Sequence, residues 1–169
     1  RKVFKKVIKI DPSSAVAYAR LAMLEVMQGW VAKARRLARK ADALDPGLPE
    51  VRAVLAFTEL GLGNLDRAET LATEIIQLPV KDPVAISLAY FALIAVTVER
   101  EKDWLKAEGY ISEAVGKVPN MIPMLLVLVA KYAEESGMKD MSDKYIARAR
   151  ELAPNSPLVI MYSGDKLNE

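Results

Sequence analysis

Enzymatic chemistry needs bases, nucleophiles or metal ligands, and this chain of 169 residues carries neither histidine nor cysteine. Without His it lacks the commonest general base and the usual zinc, copper and haem ligand. Without Cys it has no disulfides, thiolates, Cys-ligated metals or iron–sulfur clusters. Glu135, Asp140 and Asp143 gather near Gly137. They lack the alternating oxygen ligands and closing Glu of a calcium loop, so they read as solvated acids at a helix end. Gly61-Leu62-Gly63 runs into Asn64 without the Gly-Lys-Ser/Thr ending of a phosphate loop. The other carboxylates lie at helix-surface spacing and none pairs with a base. The expectation is a chain that is no enzyme, with no metal, cofactor or small-molecule substrate.

The elements that would position any site are helical. The composition, 52% hydrophobic and 27% charged, is that of a globular chain. Prolines 12, 46, 83, 119 and 154 recur at spacings of 34, 37, 36 and 35 residues. Three stand in Asp-Pro pairs, Asp11-Pro12, Asp45-Pro46 and Asp82-Pro83, and each proline reads as a helix stop. Between stops the pattern divides at Gly29, Gly61-Leu62-Gly63-Asn64 and Ser136-Gly137. The first unit opens with Ser13 or Ser14 as cap of a helix to about Gln28, and a second helix starts near Val31. No segment alternates with period two, so no sheet is expected.

Aligned on the prolines, helix A of each unit opens with Tyr18, Arg52, Phe91 or Leu126. A paired column follows: Leu21-Ala22, Leu55-Ala56, Ile94-Ala95 and Val129-Ala130. Helix B carries Ala34, Ala68, Ala107 and Ser142, then Ala41, Ile75, Ala114 and Ala149. These columns resemble the tetratricopeptide repeat, a two-helix unit of 34 residues. Arg52 and Ile75 depart from it, Lys102-Asp103 stands where the family has Gly, and the linker 78–81 and Met121-Ile122 carry extra residues. The resemblance implies an all-α, right-handed superhelical solenoid of about ten helices. It is one domain: 1–11 the end of a preceding repeat, repeats at 12–46, 47–83, 84–119 and 120–154, and 155–169 the start of a further repeat or cap. Ser156 and Pro157 open that last helix.

In this family helix A lines a concave surface that binds peptides or helices. The resemblance places there Val16, Ala19, Met23, Val26, Met27, Ala53, Phe57, Leu60, Ala89, Ala92, Val96, Met124 and Val127. Nearly all are apolar, and Ala19, Met23 and Ala89 stand where co-chaperone members carry carboxylate-gripping residues, which argues against that clamp. Such a stripe is either an exposed recognition groove or core hidden by tight winding. Glu25 and Glu59 share a column that is apolar in the family. Glu25 is expected against Arg52, as a structural ion pair or as a polar site in the groove. Trp30 and Trp104 read as packing within their helical pairs, or as anchors for a partner.

Charge is uneven. Residues 1–40 hold eleven basic side chains against Asp11 and Glu25, on a chain of net charge +2. Lys33, Arg35, Arg36, Arg39 and Lys40 form a basic patch on one helix B, beside Lys2, Lys5, Lys6 and Lys9. That patch is a solvated face or a site for an anionic partner. The functional expectation is a protein-binding scaffold whose partner is a peptide, a helix or a second copy. The alternatives are an anionic partner at the basic end (acidic protein, lipid or, less favoured, nucleic acid) and a structural segment of a larger solenoid. The apolar run from Val84 to Val98 falls short of the ~20 residues that cross a bilayer, so it reads as a buried helix and not a transmembrane segment. Arg1-Lys2-Val3-Phe4 has neither initiator Met nor signal core, suggesting a piece of a longer protein. The compartment is open, with the cytoplasm slightly favoured.

Overall fold

The computed structural model describes residues 1–77, 79 and 82–164. Ten helices follow one another through them: α1 (Lys2–Ile10), α2 (Ala15–Val26), α3 (Val31–Leu44), α4 (Pro49–Gly61), α5 (Leu65–Gln77), α6 (Pro83–Glu101), α7 (Trp104–Lys117), α8 (Ile122–Glu135), α9 (Lys139–Leu152) and α10 (Pro157–Gly164). A 3₁₀ turn at Pro119–Met121 precedes α8. There is no strand among the described residues. Leu78, Val80 and Lys81 of the expected linker lie outside them, as does 165–169 of the expected last unit.

Helices pack in consecutive pairs, α2 with α3, α4 with α5, α6 with α7 and α8 with α9. The first members also pack on one another, α2 on α4, α4 on α6 and α6 on α8, whereas the backbones of α3, α5, α7 and α9 stand apart and meet only through long side chains, as where Lys144 of α9 reaches Glu108 of α7. The result is a helical solenoid with a continuous inner layer of A helices and an outer row of spaced B helices. The small columns explain the close approach. Ala22, Ala34, Ala41, Ala56, Ala68, Ala95, Ala107, Ala114, Ala130 and Ala149 all have no exposed surface, and Ile75, the large exception, is buried too.

The turns inside the pairs are closed by backbone geometry that glycine permits. Gly29, Gly63 and Gly137 have φ of 77°, 76° and 77°. After each, the next N–H reaches back to the helix: Trp30 N–H donates to Glu25 O at 2.8 Å, Asn64 to Glu59 O at 2.9 Å and Met138 to Ala133 O at 2.8 Å. This is the Schellman closure, in which a left-handed residue satisfies the last carbonyls of a helix. In the third pair the left-handed position falls to Lys102, φ 54°, at the end of α6.

Two helix boundaries differ from expectation. Pro83 does not end a helix; it is the first residue of α6, and Asp82 caps it by accepting from Val84 N at 2.9 Å and Ala85 N at 3.1 Å. Proline needs no N–H at that position, so the same residue serves as a start. In the first unit Ser14 is the cap, accepting from Ala17 N, and α2 ends at Val26 instead of Gln28. α6 is 19 residues long and, by length and composition alone, apolar enough to cross a membrane. Every residue from Ala85 to Val98 is buried against its neighbours.

Candidate functional site

The A helices converge on a cleft of about 520 Å³ at their C-terminal ends. α2 and its turn contribute Val26 and Met27, α4 Phe57 and Leu60, α6 Phe91 and Glu99, α8 Leu128, Lys131, Tyr132 and Glu135. Its floor is an aromatic ladder across three units. Phe57 and Phe91 have ring centroids 5.4 Å apart, and Phe91 meets Tyr132 edge-on at 6.2 Å. Offset and edge-on contacts are the favoured aromatic arrangements. The Tyr132 hydroxyl donates to Glu99 Oε1 at 2.8 Å. Burial, then the Glu99 carboxylate beside it, push the phenol well above its ordinary range, so it stays a neutral donor.

The cleft is bounded because the solenoid winds tightly. Lys131 Nζ of α8 donates to the Met27 carbonyl at the end of α2, a contact of 3.4 Å across 104 residues. Lys131 also faces Glu135 at 3.7 Å. With Glu99 and Glu135 against Lys131, the polar rim carries one excess negative charge.

This winding corrects the expected groove. Val26, Met27, Phe57 and Leu60 line the cleft. Ala19, Ala53, Ala89 and Ala92 are wholly buried, and Val96 and Val127 nearly so, because helices bearing alanines approach until no groove remains between them. Met23 and Met124 are half-buried and Val16 is 40% exposed, and none of the three lines the cleft. Phe91, Leu128, Lys131 and Tyr132 were not among the expected groove residues. Leu128, Tyr132 and Glu135 recur at helical spacing on α8, and that shared face is the one signal of the cleft in the sequence.

Glu25 takes other partners than the expected Arg52. Glu25 is fully buried and binds Arg1, through Nε at 2.8 Å and Nη2 at 2.6 Å, and Lys33 Nζ at 3.1 Å. Desolvation pushes its carboxyl up, but hydrogen bonds from Lys33 and Arg1 outweigh this and hold it below the ordinary value. Arg52 pairs instead with Glu74 at 3.4 Å, on the outer layer. Glu59 accepts from Asn64 Nδ2 at 2.6 Å and lies 3.6 Å from Arg35 Nε. Trp104 packs on Tyr145 at 5.8 Å and donates to Met138 Sδ at 3.0 Å. Trp30 does not pack within its pair; it is 58% exposed.

The basic patch is therefore divided. Lys33 and Arg35 turn toward internal carboxylates, while Arg36, Arg39 and Lys40 are exposed and carry no ion pair among the described residues. Among those residues no three acids gather to hold a metal ion. The cleft offers apolar area, one cation and two carboxylates, a set suited to binding.

The paired, stacked helices define a solenoid of helix-turn-helix units. No family model matches the chain, and no curated protein matches it. Twelve chains of solved structures do match. The crystal structure of MamA is 20% identical with a TM-score of 0.51, covering 90% of this chain and 86% of MamA. PilF of Pseudomonas aeruginosa is 19% identical with a TM-score of 0.55, covering 96% of this chain and 86% of PilF. Both contain tetratricopeptide repeats, and the likeness is one of fold.

Proposed function

We propose that the chain is a non-catalytic protein-interaction scaffold that receives an apolar anchor of a partner segment in the cleft of the A helices. The carrying observation is the 520 Å³ cleft floored by Phe57, Phe91 and Tyr132, on an inner face whose other expected groove positions are filled by buried alanines. Its size limits the occupant. One turn of helix about 10 Å wide with a 5.4 Å pitch fills roughly 420 Å³, so the cleft admits a single turn or a few side chains. The acidic rim favours basic residues beside that anchor. The fold likeness to repeat proteins that are generally scaffolds supports the same reading.

The test is a peptide-display selection against the chain, followed by affinity measurement on Leu60→Asp. Leu60 is half-buried and lines the cleft at its opening, so a charge there is compatible with folding. Selected peptides should carry a large apolar residue flanked by Lys or Arg, and the variant should bind them at least about tenfold more weakly, the loss of roughly 1.5 kcal/mol of apolar burial. Peptides bound equally by both chains would reject the cleft as the binding site.

A further inference from the structure

A second cleft lies on the helix-B side, between α3 and α5 over α4. It holds about 430 Å³ and shares no lining residue with the A-helix cleft. Its wall includes three arginines, Arg35 and Arg39 from α3 and Arg67 from α5, together with Asp42 of α3, Glu59 of α4 and Asn64. No Cα atoms of α3 and α5 come within 8 Å of each other, which leaves a gap between the two backbones for a ligand.

Two observations mark these arginines as short of an acceptor. The Arg35 Nε–H is buried and makes no hydrogen bond, because its ion-pair partner, Glu59 Oε1, stands 3.6 Å away, beyond hydrogen-bond reach, while Asn64 holds the other oxygen of that carboxylate at 2.6 Å. Arg39 and Arg67 have no ion-pair or hydrogen-bond partner among the described residues. A buried guanidinium donor without an acceptor costs more than one left in water, so an arriving anion is bound where that cost is relieved.

We infer that this cleft binds a single carboxylate, presented by an acidic protein segment, on Arg35, Arg39 and Arg67. Guanidinium forks match a planar carboxylate in two-point geometry. The charge balance selects the anion. Three arginines against Asp42 and Glu59 leave one net positive charge, which fits a monoanion and not a dianionic phosphate. Arg67 was absent from the expected basic patch because it lies 28 or more residues from Arg35 and Arg39 in sequence and joins them only through the stacking of α5 on α4.

The experiment follows the Arg35 Nε–Hε resonance by NMR during titration with N-acetyl-glutamic acid α-amide, inorganic phosphate and chloride at matched ionic strength. The carboxylate should shift that resonance saturably with a dissociation constant of roughly millimolar, the value for a small ion-paired ligand. Chloride should produce no saturation, and phosphate should bind more weakly. Arg67→Gln and Arg39→Gln should each weaken the carboxylate about tenfold with the helical circular dichroism unchanged. Both side chains are exposed, so folding does not depend on them. No saturable shift, chloride acting like the carboxylate, phosphate binding more tightly, or unchanged affinity in both variants would each overturn the assignment. Leu60→Asp should leave this titration unaffected, which separates its failure from that of the A-helix cleft.

Discussion

Phe57→Ala reads out whether the cleft floor is part of the core. Phe57 is 8% exposed and stacks on Phe91 with centroids 5.4 Å apart. Phe→Ala changes in cores cost about 3–5 kcal/mol, the larger values where the cavity stays empty. Here one edge of the ring borders an open cleft that water can enter, so the cost should fall near the lower end, about 3 kcal/mol. For a domain of 150–250 residues each kcal/mol moves Tm by about 2–4 °C, giving a fall of roughly 6–12 °C. The assay is thermal circular dichroism at 222 nm. A double-mutant cycle with Phe91→Leu should show coupling of about 0.5–1.5 kcal/mol, the worth of an aromatic pair beyond its area. A fall below about 3 °C, or no coupling, would refute the ladder as a structural floor. Phe57→Asp would add an unpaired carboxylate to the same loss and unfold the unit, so Leu60→Asp is the variant that tests binding.

Four further outcomes rest on local geometry and charge. Lys102→Gly should raise stability by about 0.5–1 kcal/mol in urea denaturation, because Lys102 holds a left-handed backbone at φ 54° that glycine adopts without strain. Gly137→Ala, with φ 77° and nothing within 4 Å of the added methyl, should cost about 1 kcal/mol from backbone strain alone. Glu25→Gln should destabilise the chain at pH 7 by roughly 3 kcal/mol, less than a fully enclosed pair because Arg1 and Lys33 are about a third exposed. The folded carboxyl lies below its ordinary 4.5, so its contribution is full above about pH 4.5 and is lost as pH falls through the folded value. Urea midpoints of parent and variant should therefore converge below that pH. Glu50 has the opposite sign: desolvation first, and Asp82, outweigh Arg20 and raise its carboxyl, so Glu50→Gln should cost less than Glu25→Gln at pH 7.

By itself the sequence determined the repeating unit, because that unit is written in local physics. Proline, glycine and the spacing of small and apolar residues act within a turn or two of helix. They placed the helix pairs and the breaks at Gly29, Gly61–Asn64 and Ser136-Gly137, where the structure has its left-handed closures, and the repeat resemblance added the small-residue columns that are buried. The same local terms misread Pro83, since a proline before a helix and one after it look alike until the cap at Asp82 is seen. What only the tertiary structure decided is how the units turn on one another. That rotation brings Lys131 to Met27 across 104 residues, hides Ala53 and Ala89, leaves the cleft at Phe57 and Tyr132, and gives Glu25 to Arg1 and Lys33 instead of Arg52. The pitch is the sum of small angles at each packed interface, set by side chains far apart in sequence, and no local pattern carries that sum.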